Sequence, residues 1–277
     1  MRPTRIIAVV HQGRADAPTA IETLRHWCEI HDVALSSLVL GDHRLPVEPD
    51  ASTLALSMGG DGTFLHTARL VAAHETPVLG INLGSLGFLT QTGTESIVQA
   101  LDQVWNDQIS IEPRLRLEAV VRDQTKSALN DVVISRPDVD TTTAIDLYRD
   151  GETFIGRYPG DGLILSAPSG TTAYSLASGG PIVDPTLASI TVTPLNAHRI
   201  SLRPLVLPPD AELTAELRRP GWLVLDGEKQ AKLDAGETVR IRRSPTDTQV
   251  IVLNDRLGFF DLLSKKLGWS WGYPGAT

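Results

Sequence analysis

The stretch that most constrains this chain is Leu54-Ala55-Leu56-Ser57-Met58-Gly59-Gly60-Asp61-Gly62-Thr63, followed at once by Phe64-Leu65-His66-Thr67-Ala68-Arg69-Leu70-Val71-Ala72-Ala73. An apolar run, three glycines around one carboxylate and a helically periodic segment predict a strand, a tight turn and a helix. Glycine leaves backbone N–H groups open to close approach, and the following helix directs its positive end at the turn. The turn is therefore suited to phosphate. Asp61 is the exception, because a carboxylate facing phosphates repels them unless it holds a cation, a hydroxyl or a proton. It points to chemistry or to a bound Mg²⁺, or else it caps the helix. The two common phosphate-loop signatures are absent: no glycine-rich run ends in Gly-Lys-Ser or Gly-Lys-Thr, and no G-x-G-x-x-G follows a strand.

A length of 277 residues suits one large or two ordinary domains, and 42% hydrophobic with 21% charged residues gives a globular chain with material for real cores. The net charge of −8 argues against broad electrostatic binding to nucleic acid or an anionic membrane, while leaving room for a local phosphate pocket. Cys28 stands alone, which excludes an intrachain disulfide. It falls in a predicted helix and is expected in the core. With no secretory core at the start and no apolar segment of membrane-spanning length, the expected location is the cytoplasm.

In chain order, Ile6–Val10 predicts a buried strand that exits at His11 and Arg14, and Ala17–Ile30 a helix with Pro18 in its first turn. Val33–Leu40 predicts a second strand, Pro77–Asn82 another, and Thr94–Trp105 a helix. This order implies an α/β N-terminal domain with a mostly parallel nucleotide-binding sheet over residues 1–106. From 107 to 255 the texture turns to short alternating strands, with Arg149-Asp150-Gly151 as the plainest hairpin turn. A β-sandwich-like C-terminal domain is expected there. Residues 256–277 form a tail whose helix, Phe260 to Trp269, needs an apolar surface to cover it and is expected to return to the first domain.

A second informative stretch is Gly160-Asp161-Gly162, followed by Pro168-Ser169-Gly170-Thr171-Thr172-Ala173-Tyr174 and Gly179-Gly180-Pro181. Small and hydroxylated residues let a backbone meet a flat ring and address a sugar or phosphate. An adenine or nicotinamide subsite is one reading, a serine- and threonine-rich turn the other. Asn130-Asp131 and Asp226-Gly227 suit a heterocycle or vicinal hydroxyls, and equally suit turns. One cysteine and seven scattered histidines have no zinc-ligand spacing, and no G-x-S-x-G elbow occurs.

Taken together these motifs resemble the NAD kinase family over nearly the whole chain. Gly59-Gly60-Asp61-Gly62-Thr63 alone is shared with diacylglycerol and sphingosine kinases. The specific part is its combination with Asn82–Leu89, Leu129-Asn130-Asp131, Asp161-Gly162, Pro168–Tyr174, Gly179-Gly180-Pro181, His198, Arg203-Pro204 and Asp226-Gly227. The resemblance implies transfer of the terminal phosphate of ATP to the 2'-hydroxyl of the adenosine ribose of NAD, with Mg²⁺ or another divalent cation, in a homodimer or homotetramer. It implies Asp61 as the catalytic carboxylate and Gly59, Gly60, Gly62 and Thr63 as the frame for donor phosphates. Asn130 is expected on adenine, Asp131 on ribose hydroxyls and Asp161 on the nicotinamide amide. Ser169, Thr171, Thr172, Ala173 and Tyr174 are expected to line the dinucleotide, with His198 as a secondary contact. The metal ligands are not assigned. The usual Asn-Glu pair is Asn130-Asp131 here, one methylene shorter, which leaves NAD against NADH selectivity open. The competing readings are a lipid or sugar kinase sharing the glycine turn, and a catalytically silent NAD-binding regulator.

Overall fold

The computed structural model describes residues 2–268 and divides the chain into two compact units, one of Met1–Pro113 with the chain from Gln249 onward, the other of Arg114–Thr248. In chain order the first unit contains β1 (Arg5–Val10), α1 (Ala17–Ile30), β2 (Ala34–Val39), β3 (Thr53–Gly59), α2 (Asp61–Leu70), β4 (Val78–Asn82), the two-residue β5 (Thr92–Gly93), α3 (Ile97–Trp105) and β6 (Ile109–Arg114). The second holds β7 (Leu117–Val121), β8 (Gln124–Ala128), β9 (Asp131–Ser135), β10 (Thr143–Arg149), β11 (Thr153–Gly160), β12 (Gly162–Ser166), α4 (Tyr174–Ala177), β13 (Ile190–Leu195), β14 (Leu205–Leu207), β15 (Leu213–Leu217), β16 (Gly221–Leu225), β17 (Glu228–Leu233) and β18 (Thr238–Arg243). The chain closes with β19 (Thr248–Leu253) and α5 (Phe259–Leu267).

The first sheet runs β2-β1-β3-β4-β19-β6, with β5 beside β4, and its pairs β1–β2, β1–β3, β3–β4 and β4–β19 are parallel. β3 and β4 are buried along their whole length, as continuous apolar runs in a sheet covered on both faces require. α1 and α3 cover one face, where Ile6, Ala8, Leu54, Leu56 and Leu79 meet Leu24, Trp27 and Leu101. On the other face Ile7, Val9 and Leu38 pack with Leu70 of α2. Trp27 Nε1 donates to Asp102 Oδ1 at 2.8 Å, joining α1 to α3. Cys28 is 3% exposed, and burial pushes its thiol up to about 11, a core residue as expected.

β6 and β19, which fall inside the 107–255 span expected for the second domain, complete this first sheet. Thr248–Leu253 is an alternating apolar run that could serve either sheet. Its partner is chosen by Ile251 and Leu253, which enter the α1–α3 core, and by Gln91, whose Oε1 accepts the Leu253 N–H at 2.9 Å. The tail helix α5 belongs to this unit and lays Lys266 Nζ 5.2 Å from the Phe88 ring centroid. It ends at Gly268, whose φ of 66° is the left-handed cap. Trp269, which the sequence placed at its end, lies outside the described residues.

The second unit is two six-stranded antiparallel sheets, β11-β10-β15-β18-β7-β8 and β14-β13-β12-β9-β16-β17. Alternate residues interdigitate between them: Val132, Ile134, Leu163 and Leu165 from one sheet, Ile145, Leu147, Ala215 and Ile241 from the other. The hairpin expected at Asp150-Gly151 joins β10 to β11, with φ of 51° and 83° at its two turn residues. Among the described residues no helix is long and apolar enough to cross a membrane.

Candidate active site

In the order β2-β1-β3-β4 the chain crosses from one side of β1 to the other, and the crevice beyond the carboxyl ends of β1 and β3 is where open α/β sheets receive ligands. The glycine turn stands there. His11 N–H donates to Met58 O at 2.9 Å and Leu83 N–H to Gly59 O at 3.0 Å, so the exits of β1, β3 and β4 are tied together.

The glycines of the turn differ in what requires them. A Cβ on Gly59 would sit 2.1 Å from Thr63 Oγ1, and Thr63 is 2% exposed, so these two residues pack on each other and shape the turn. Around Gly60 and Gly62 no atom beyond the adjoining residues and the local helix backbone lies within 4 Å of a built Cβ, and neither has a positive φ. The fold itself does not demand glycine at these two positions. Gly60 is the N-cap of α2, so its neighbouring N–H groups lie at the positive end of that helix.

Asp61, half-buried in the first turn of α2, is held from the β4 exit loop. Phe88 N–H donates to Oδ2 at 2.8 Å, and Leu89 and Thr90 N–H donate to Oδ1 at 3.0 and 3.4 Å. A carboxylate offers about four acceptor positions, so one on Oδ2 keeps the capacity to accept a further donor. Gly87 makes the approach possible, since a Cβ there would fall 1.8 Å from Asp61 Oδ1. Sequence reasoning placed Gly87 in the motif without this reason, which exists only once residues 61 and 87 are neighbours. Arg14, left at a strand exit by the sequence, lies against Gly84 with its Nη1 3.4 Å from a built Cβ.

In the second unit, Asn130-Asp131 and the Pro168–Thr172 turn, some forty residues apart in sequence, are in contact. Ala167 N–H donates to Asn130 O at 2.9 Å, and a Cβ on Gly170 would lie 2.0 Å from the same oxygen. Asn130 is 7% exposed, and its side-chain Oδ1 is buried without a hydrogen-bond partner. Such an orphan acceptor is costly and suits a donor supplied by a ligand. Asp131 is 5% exposed, and its carboxyl is pushed up to about 7, first by burial and then by the carboxylate of Asp226.

Asp161 pairs through Oδ1 with Arg136 Nη1 at 2.9 Å and through Oδ2 with Asn196 Nδ2 at 2.8 Å. Sequence reasoning missed both partners. A cavity of about 860 Å³ opens beside it, lined also by Val139, Tyr174 and Leu195. Ser169 is 8% exposed, Thr172 and Ala173 are half-buried, and Tyr174 is exposed at the cavity wall. Two expected residues stand apart. Thr171 is fully buried, its hydroxyl donating to Pro168 O at 2.8 Å and accepting from Val183 N–H at 3.1 Å. It secures the turn, and its side chain has no exposed surface in this structure. His198 is exposed and does not line the cavity; its backbone N–H donates to Pro159 O at 2.9 Å.

Comparison with known proteins gives the family of the chain. Residues 44–109 match the ATP-NAD kinase N-terminal domain and residues 129–253 the ATP-NAD kinase C-terminal domain. The NAD kinase of Gemmatimonas aurantiaca is 35% identical over 280 residues, covering 96% of each chain. The chain belongs to the NAD kinase family. That of Moorella thermoacetica is 40% identical over 219 residues, 76% of this chain and 70% of its own. Two crystal structures share the fold: yeast NADH kinase complexed with NADH, at a TM-score of 0.86 and 23% identity over 100% of this chain and 90% of that one, and an NAD kinase from Archaeoglobus fulgidus in complex with ATP, at 0.76 and 22% over 94% and 98%. The chain is thus a phosphotransferase that uses ATP to convert NAD to NADP, and the lipid or sugar kinase and the silent binder fall away.

Proposed function

We propose that Asp61 is the carboxylate that acts on the acceptor hydroxyl, and that Gly60 and Gly62 are glycines because donor phosphates lie against them. The observation that carries this is the pairing of an unfilled space over two glycines at a helix N-terminus with a carboxylate that keeps one acceptor position. In this reaction the bond from the 2'-oxygen to the terminal phosphorus of ATP forms, the bond from that phosphorus to its bridging oxygen breaks, and ADP leaves. A ribose hydroxyl is a poor nucleophile at neutral pH. Asp61 orients it and takes its proton late in the transfer, then releases that proton to solvent. The N–H groups at the start of α2 spread the charge of the transferring group. The frame of Gly59 and Thr63 keeps the turn in shape.

Asn130 takes a donor from adenine on its orphan Oδ1, Asp131 holds ribose hydroxyls, and Asp161, Ser169, Thr172, Ala173 and Tyr174 receive the rest of the dinucleotide, with His198 a secondary contact. Among the described residues no group of three or more His, Cys, Asp or Glu side chains converges to hold a metal. A dedicated metal cage therefore does not fit, and Mg²⁺ or another divalent cation enters on the donor phosphates as part of that substrate, in keeping with its preference for phosphate oxygens and water. A homodimer or homotetramer and a cytoplasmic location complete the reading on the motif resemblance; light scattering at the mass of a monomer would remove the first.

The test is Asn130→Ala. Losing a hydrogen bond to a buried acceptor weakens binding by about 1–2 kcal/mol, so KM for NAD should rise roughly tenfold with KM for ATP unchanged. Equal rises in both constants would contradict an adenine contact at Asn130.

A further inference from the structure

Asp226 opens the two-residue turn between β16 and β17, with φ of 47° there and 81° at Gly227. A turn of this shape accepts Asn-Gly as readily as Asp-Gly, so the hairpin alone does not call for a carboxylate. Its other contacts do. Asp226 Oδ1 accepts the N–H of Asn130 at 2.7 Å and of Asp131 at 3.2 Å, and Oδ2 accepts the N–H of Leu129 at 2.9 Å. The Asp226 N–H returns a bond to Asp131 O at 3.1 Å. Three consecutive amides, all leading into β9, thus converge on one side chain from a neighbouring hairpin. An asparagine could accept at one oxygen only and would turn its NH₂ toward N–H donors. On the opposite side, Gly170 and Ala167 close against Asn130 O.

We propose that Asp226 is a positioning residue for the NAD site, its carboxylate fixing the Leu129–Asp131 backbone so that the Asn130 and Asp131 side chains are set for the adenosine end of the substrate. This rests on the reading of Asn130 and Asp131 given above. The buried Asn130 Oδ1 without a partner shows that the corner is held in a shape that its own packing does not reward.

The same carboxylate acts on Asp131 through charge. Burial is the larger cause and Asp226 the second in pushing Asp131 up to about 7. Asp226 is itself raised by burial, against the three amides and the charge of Arg116. Arg116 is fully buried and donates to Thr248 Oγ1 and Ser127 Oγ, each at 2.9 Å. Asp226 is the charged group that bears on Asp131, and Arg116 bears in turn on Asp226. The register partner of Asp131 on β12, Ser166, is neutral, as is Gly170, which closes on the neighbouring Asn130. An ionised Asp131 accepts ribose hydroxyls better than a neutral one, so NAD affinity in the native chain should improve as pH rises through about 7.

The experiment is steady-state kinetics of the full chain carrying Asp226→Asn, read across pH, with thermal unfolding to check the fold. KM for NAD should rise about tenfold, with kcat and KM for ATP within about twofold, and the pH midpoint of NAD affinity should move down because a neighbouring negative charge is gone. Asp226→Glu keeps the charge but lengthens the arm, so it should raise KM for NAD by several-fold while leaving the pH midpoint near its native position; this variant decides the matter if the asparagine protein does not fold. Native KM for NAD in both variants, or a matched loss in KM for ATP and kcat, overturns the role of Asp226. Asp131→Ala separates the two claims. A native KM for NAD in that variant strikes down the site reading, whereas a raised one beside native Asp226 variants strikes down Asp226 alone.

Discussion

Asp61, Gly60 and Gly62 stand out in the sequence as site candidates because the pattern is local: a carboxylate between glycines at a strand-to-helix turn has few uses. Asp226 is not legible in that way. In sequence it is one more Asp-Gly turn, and its three amide partners lie 95–97 residues away. Thr171 shows the converse, since a hydroxyl in a promising motif proved to be spent on Val183 and Pro168. Asp131 carries a consequence for stability. Between its ordinary value of 3.8 and about 7 the folded chain keeps a proton that the unfolded chain has released, so stability falls as pH rises through that window. Asp131→Asn removes the penalty. Without ligand, this variant should be more stable than the native chain at about pH 8, on the order of 1–3 kcal/mol, with the gap closing toward about pH 4. Thermal or denaturant unfolding at the two pH values checks it, and a variant less stable than the native chain at about pH 8 contradicts the raised carboxyl.

At the level of elements, β1, α1, β3, α2 and β4 follow from hydrophobic period and turn chemistry alone, and α1 spans Ala17–Ile30 as its periodicity predicts. β19 shows the limit, because pairing in a parallel sheet is non-local and an alternating apolar run does not announce its partner. The Pro168–Thr172 stretch, where a serine- and threonine-rich turn is one of the two readings, forms a 3₁₀ turn held by Thr171 and is followed by the short α4. The N-terminus of α2 offers a test that separates fold from function. Gly62→Ala meets nothing within 4 Å of its Cβ beyond the adjoining residues and its own helix backbone, and replaces a poor helix former. Stability should hold or rise by up to about 1 kcal/mol. If phosphates use that space, KM for ATP should rise roughly three- to tenfold, the effect of weakening one N–H contact. An unchanged KM for ATP would mean that the space over Gly62 is not where phosphates lie.

Over the whole molecule, a net charge of −8 means that two anionic substrates are drawn by local features and not by the general field. On the proposed reading, backbone N–H groups and a helix end supply that attraction at the glycine turn, and Arg14 lies close by on Gly84. The division into an α/β unit and a β-sandwich unit was legible from the change in texture, but the return of the chain into the first sheet through β19 was not.

The most direct measurement is NADP formation from NAD, ATP and Mg²⁺ by the native chain and by Asp61→Asn, with NAD binding measured alongside. The native protein should form one NADP for each ATP consumed. The variant keeps the Oδ1 bonds to Leu89 and Thr90 and loses the one from Phe88, so it should stay folded at a cost of about 1 kcal/mol, bind NAD as before, and turn over about 10²–10⁴-fold more slowly. Native turnover in Asp61→Asn would take Asp61 out of the chemistry.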